Sequence, residues 1–179
     1  MSRFVSLTIL LFFALRSQAM AEQLRHESRI LNPLFEAQIK RLTKKFQSKK
    51  ITVLELKEMI SQKQGILIID TREESEFNVS HIYGATNVGY QKFDINSFFK
   101  SVPKGKKIVT YCSVGYRSGV IADQLMRNGY DVYNLWGGIF EWVNQGNDIY
   151  SNESRKTKQI HAYDKNWGKW ITNQVEKVY

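Results

Sequence analysis

Cysteine is almost absent from this sequence, and the single one, Cys112, can neither close a disulfide within the chain nor supply a cysteine-rich zinc site. Histidine is nearly as scarce, and none of His26, His81 and His161 stands in a recognisable cysteine-protease motif. The two prolines and eleven glycines follow no period, which excludes a collagen-like chain. There is no internal repeat and no low-complexity tract. No apolar run approaches the roughly 20 residues that span a bilayer as a helix. What remains, with 42% hydrophobic and 24% charged residues, is the composition of a globular protein, and 179 residues suit one domain.

The net charge of +9 is unevenly placed. Residues 22–50 carry eight bases and three acids, residues 51–150 ten bases and eleven acids, and residues 151–179 six bases and three acids. The centre is thus near neutral and the basic character sits in its flanks. A nucleic-acid protein would more often carry a basic stripe on its main domain, so no nucleic-acid partner is expected. The flanks read as solvated helix faces, with a weak contact to an anionic membrane or partner as the second reading. At the start, Met1-Ser2-Arg3 is basic, Phe4–Leu15 is almost wholly apolar, and Ala19-Met20-Ala21 places small residues before a cut after Ala21. That order predicts a signal peptide over 1–21 and an exported, periplasmic or secreted protein, membrane-anchored if the signal is not cleaved.

Residues 22–50 form a basic extension in which Leu34, Phe35, Ile39, Leu42 and Phe46 have helical spacing, with Asn32 as cap and Pro33 in the first turn. Residues 51–146 then alternate helix and strand signals. Thr52-Val53-Leu54-Glu55 is a capping box, and Leu56, Met59 and Ile60 continue its helix to a stop at Gly65. Ile66–Ile69, Lys107–Tyr111 and Val132–Leu135 are short apolar runs that predict buried strands. Helical patterns fall at Glu73–Phe77, Ile95–Phe99, Arg117–Asn128 and Ile139–Val143, while 81–90 looks irregular. This alternation predicts an α/β domain with a mostly parallel sheet flanked by helices. Residues 147–179 read as a polar, then aromatic, tail whose Tyr163, Trp167 and Trp170 pack on the domain.

Cys112 lies between a predicted strand and a predicted helix. A loop entering a helix turns unpaired backbone N–H groups into one space, and the helix dipole adds positive potential there. A cysteine in that position favours its thiolate form, and the same space accepts an anion. Gly115 lets the loop turn, and Arg117 adds a fixed charge. Taken alone, a cysteine after a buried strand fits a small core residue equally well.

Residues 51–146 resemble a rhodanese domain over nearly its full length. The matching segments are Ile68-Ile69-Asp70-Thr71-Arg72-Glu73 with Glu76-Phe77 and His81–Asn87, then Tyr111–Ser118, then Asn134-Leu135-Trp136-Gly137-Gly138 with Trp142. Ser80 departs from the family's usual glycine before the histidine, for which a small change of turn geometry is expected. The resemblance implies a sulfurtransferase that carries sulfane sulfur as a persulfide on Cys112. It implies an anion cradle of Ser113, Val114, Gly115, Tyr116, Arg117 and Ser118, with Arg117 either facing the donor or bracing the loop. Asp70 and Arg72 are implied as support near the site, with an ion pair to Glu73 or Glu76. His81 is implied as a turn brace, and Trp136 with Gly137 and Gly138 as the pocket rim. The implied partners are a small sulfur donor, thiosulfate or a persulfide, and an acceptor that is a small molecule or a protein thiol. The resemblance implies no cofactor and no metal.

Two other functions compete. Cell-cycle dual-specificity phosphatases resemble rhodaneses in fold, but their loop is one residue longer between cysteine and arginine. Here only Ser113–Tyr116 intervene, a ring better suited to sulfur than to phosphate or arsenate. Other rhodanese-like domains lack the cysteine and serve only as binding modules, whereas this chain keeps Cys112, Gly115 and Arg117.

Overall fold

The computed structural model describes residues 32–152 and 155–179. The expected signal peptide, 1–21, and residues 22–31 of the extension lie outside the described residues.

Three apolar runs supply the centre of a five-stranded parallel sheet. They are β2 (Leu67–Asp70), β4 (Lys107–Tyr111) and β5 (Asp131–Leu135), joined at the edges by β1 (Lys49–Ile51) and β3 (Thr86–Asn87) in the order β1-β5-β4-β2-β3. Side chains alternate between faces along a strand, and β4 shows the result. Val109 and Tyr111 join a core with Phe35, Ile39, Leu56, Leu135 and Phe140, whereas Ile108 joins one with Ile69, Phe98, Ile121 and Leu125. Helices α1 (Pro33–Thr43), α2 (Val53–Ser61) and α6 (Gly138–Asn144) supply the first core, and α4 (Ile95–Ser101) and α5 (Tyr116–Arg127) the second. The sheet is therefore covered on both faces, as the run of buried parallel strands requires. Among the described residues no helix is long and apolar enough to cross a membrane.

Local chemistry sets the element ends. Asn32 accepts hydrogen bonds from the N–H groups of Leu34 and Phe35 to start α1, and the Thr52–Glu55 capping box starts α2. Several boundaries differ from expectation. Helix α1 stops at Thr43, which leaves Phe46 beyond it, edge-on to Tyr116, and Leu34 is 73% exposed rather than packed. Helix α2 stops at Ser61, and Lys63, not Gly65, makes the first left-handed turn after it. Strand β1 begins inside the basic extension and crosses the expected boundary at 51, its Lys49 paired with Asp131 at 2.9 Å, and β3 is two residues long within the stretch that reads as irregular.

The tail is more structured than its sequence suggests. Strands β6 (Ile149–Tyr150) and β7 (Lys156–Thr157) pair antiparallel, and β8 (Gln159–His161) pairs with β9 (Glu176–Val178) in parallel, around a short helix α7 (Lys165–Gly168). The end of α6 holds this tail: Asn144 Nδ2 donates to Trp170 O, Thr172 N to Asn144 Oδ1, and Asn173 Nδ2 to Val143 O. Trp170 stacks on Phe35 of α1 with centroids 5.4 Å apart. The two flanks thus meet over one end of the sheet.

Candidate functional site

That end is where β2, β4 and β5 finish. The register sets Asp70 beside Tyr111, so the loop leaving β4 at Cys112 emerges between neighbouring strand ends, the usual place for a ligand in an open α/β sheet. Residues 112–115 link β4 to α5 and are buried.

The loop faces the way it does because its carbonyls are occupied elsewhere. Cys112 O accepts from Ile139 N at 2.9 Å and Ser113 O from Phe140 N at 3.1 Å, both in the first turn of α6. Gly115 O accepts from Asn134 Nδ2 at 2.8 Å. This close docking needs Gly138, since a Cβ there would lie 2.3 Å from Cys112 O. With the carbonyls turned outward, an amide turns inward: Gly115 N donates to Cys112 Sγ at 3.1 Å. Gly115 itself has φ 101°, which a residue with a Cβ rarely adopts. No side chain caps α5, so the positive end of its dipole lies open beside the sulfur.

Arg117 is bound as a brace. Its Nη1 and Nη2 donate to Glu76 Oε2 and Oε1 at 2.6 and 2.8 Å, and Nη2 also donates to Ser113 Oγ at 3.0 Å. Burial works against its charge, but the Glu76 hydrogen bonds and the nearby Cys112 and Glu76 charges outweigh it and raise the pKa. Burial likewise pushes Glu76 upward, and the hydrogen bonds and charge of Arg117, with the charge of Arg72, more than reverse this, leaving the carboxyl below its usual range. Glu76 comes from α3 (Glu74–Val79), so the pair ties the start of α5, next to the Cys112 loop, to a helix on another segment.

Asp70 and Arg72 do not pair with Glu73 or Glu76 as expected. Glu76 is taken by Arg117, and Glu73 accepts from Gln91 N at 3.2 Å. Arg72 instead folds back on Asp70 at 2.6 Å, both side chains wholly buried, and donates to Ser80 O. It braces the turn behind the site and does not line the cavity. Ser80 fits there because its φ of −168° is extended backbone that any residue adopts. His81 Nδ1 lies 3.1 Å from Phe77 O, and its ring stacks on Phe77.

Cys112 floors a cavity of about 220 Å³ lined by Leu42, Cys112, Ser113, Val114, Tyr116, Arg117, Tyr163 and Trp167. Two implied positions fall elsewhere. Ser118 is buried behind the loop, with its Oγ donating to Asn134 Oδ1 at 2.7 Å. Trp136 lies under the Lys50 ammonium rather than on the rim, because its strand end turns toward β1. Glu76 and Asn134, which stand in the matching segments, acquire roles that sequence alone did not assign. Leu42, Tyr163 and Trp167 enter from the two flanks; only their place in apolar or aromatic patterns marked them. Tyr163 sits over the Arg117 guanidinium, 5.2 Å from ring centroid to Cζ. Its N–H donates to His161 Nδ1 at 3.1 Å, which requires that nitrogen unprotonated, and burial first of all holds the His161 pKa low. No cluster of three or more potential metal ligands occurs among the described residues.

Residues 52–145 match the family model described as rhodanese-like domain. The tRNA uridine(34) hydroxylase of Bacillus thuringiensis is 40% identical over 88 residues, 44% of this chain and 26% of that protein. The chain spans about a quarter of the length of the curated relatives it matches. Among solved structures, a rhodanese-related protein from Thermoplasma volcanium superposes with a TM-score of 0.51 at 24% identity, over 56% of this chain and 96% of that one. Thiosulfate sulfurtransferase from Pseudomonas aeruginosa gives 0.55 at 16% identity, over 76% and 26%. At these identities the structural likeness speaks to fold.

Proposed function

We propose that this chain, which belongs to the rhodanese-like domain family, moves sulfane sulfur from a donor such as thiosulfate to a thiophilic acceptor through a persulfide on Cys112. The observation that carries this reading is the sulfur itself. The chain's one cysteine lines a cavity, and its Sγ receives the Gly115 N–H and sits beside the uncapped start of α5.

In the first step the Cys112 thiolate attacks the outer sulfur of thiosulfate. The S–S bond of the donor breaks, sulfite leaves with the bonding pair, and an anionic Cys112 persulfide remains. In the second step a nucleophile such as cyanide or a thiolate attacks the outer sulfur of the persulfide. The electron pair returns to Cys112 and the thiolate is regenerated, a two-step covalent cycle. Donors fixed before the reaction stabilise developing charge without reorganising, and the loop's role is to fix its amides in this way. The cycle as written uses no cofactor and no metal.

The partners in this reading are a small donor and a small-molecule or protein-thiol acceptor, with no nucleic acid. The tRNA named for the relative belongs to a protein of which the match covers about a quarter. Export rests on residues 1–21, and the basic N-terminal flank is proposed as a weak membrane contact; a native protein whose intact mass begins at Met1 would contradict cleavage. For the chemistry, Cys112→Ser is expected to fold normally and form no thiocyanate from cyanide. Undiminished formation in that variant would contradict the reading. Wild type that takes up no sulfur at all would favour a binding module.

A further inference from the structure

The cavity over Cys112 has walls that belong to this chain rather than to the matched domain. The family match spans 52–145, yet Leu42 comes from α1 and Tyr163 and Trp167 from the tail. With Val114 from the loop and Tyr116 from the start of α5, five of the eight lining residues are aliphatic or aromatic. The volume of about 220 Å³ is several times the roughly 30 Å³ share of one water in the liquid.

Its charge is also accounted for. Arg117 is the one charged residue in the lining, and its guanidinium is held by both oxygens of Glu76 and covered by Tyr163. Lys45, which does not line the cavity, has its Nζ donating to Tyr116 Oη at 2.9 Å and lying over that ring. With Arg117 already paired to Glu76, a small inorganic anion finds only the loop amides and the start of α5 to bind, whereas an organic group also gains the apolar wall.

Tyr163 shows that this wall is held in place. Its φ of 67° is a left-handed conformation, uncommon and strained for an aromatic residue. The hydrogen bond from its N–H to His161 and the Asp164 cap of the following helix fix the segment on either side. The strain sets a half-exposed ring over the cavity, where the domain core has no need of it.

We infer that the group carrying the sulfur is organic and apolar, an alkyl or aryl persulfide or thiosulfonate, selected over thiosulfate by Leu42, Tyr163 and Trp167. The inference rests on the sulfurtransferase reading above and narrows it. For a persulfide R–S–S⁻, the Cys112 thiolate attacks the terminal sulfur, R–S⁻ leaves with the bonding pair, and the Cys112 persulfide forms. For a thiosulfonate the leaving group is the sulfinate R–SO₂⁻. Atoms and charge balance in both, and neither step needs an oxidant or reductant.

The test compares benzenethiosulfonate, methanethiosulfonate and thiosulfate as donors, with cyanide as acceptor, on the protein and on Leu42→Ala, Tyr163→Ala and Tyr163→Phe. Intact mass is read alongside to see whether Cys112 loads. The two thiosulfonates share a reacting group, so their kcat/KM ratio reads the apolar wall, and comparing variants cancels intrinsic reactivity. The expected result is a preference for benzenethiosulfonate over both other donors by about tenfold or more, the range that apolar pocket contacts give. The benzene-to-methane ratio should fall severalfold in Leu42→Ala and Tyr163→Ala and persist in Tyr163→Phe. Tyr163 is half-exposed, so Tyr163→Ala leaves no buried cavity and a folded protein is expected. Thiosulfate used as well as the aromatic donor, or a ratio unmoved in both alanine variants, overturns the inference and leaves the sulfurtransferase reading standing. No sulfur on Cys112 from any donor overturns both.

Discussion

Glu76, Arg117 and Ser113 make one unit, and the unit explains why a residue with a fixed charge stands five positions after the cysteine. The bidentate pair is nearly buried, and a fork of this kind locks orientation as well as charge. Glu76→Gln is expected to leave the fold intact, loosen the loop and lower kcat/KM about tenfold, a barrier change of about 1.4 kcal/mol; steady-state kinetics beside circular dichroism would check it. The same carboxyl adds a pH dependence. Its folded pKa lies below the unfolded value, so its stabilisation is fully present above the unfolded carboxylate range and is lost as pH falls through the folded pKa. Thermal midpoints measured from neutral to acid should therefore fall less steeply in Glu76→Gln than in wild type. Sequence alone made Cys112 and its loop visible, because spacing and residue type carry that signal. It left open whether Arg117 meets donor or brace, because a partner on another segment decides that.

At the scale of elements, the docking of α6 on the loop is the decisive contact. Ile139 and Phe140 hold the carbonyls of Cys112 and Ser113 away from the sulfur. Gly138→Ala would drive a Cβ to 2.3 Å from Cys112 O at φ +59°. Both insults fall on backbone, so a loss of more than about 3 kcal/mol of stability is expected, together with sulfur loading. Gly146→Ala is the control: its φ is similar, +76°, but nothing lies within 4 Å, and only about 1–2 kcal/mol should be lost. Chemical denaturation of the two variants measures the difference. Most elements were legible from apolar runs and caps such as Thr52–Glu55. The edge strands were not, since β1 begins with two lysines and β3 has two residues, too little pattern to show a period.

Across the whole molecule, the flanks close the site. The Phe35–Trp170 stack joins α1 to the tail, and together they bring Leu42, Tyr163 and Trp167 over Cys112. Trp170→Ala is expected to cost about 3 kcal/mol and to raise amide exchange in α1 and in β8–β9 together, while the central strands stay protected. Independent loosening of the two flanks would contradict that coupling. The tail's strands escaped the sequence because their partners lie far along the chain: Gln159 pairs with Glu176, and no local turn announces it. The central claim, that Cys112 carries sulfur, is most directly tested by intact-protein mass spectrometry of the reduced, folded protein after exposure to a sulfane-sulfur donor, before and after cyanide. The account predicts a gain of one sulfur atom that cyanide removes and that Cys112→Ser never acquires. An unchanged mass with every donor, or an equal gain in Cys112→Ser, would contradict it.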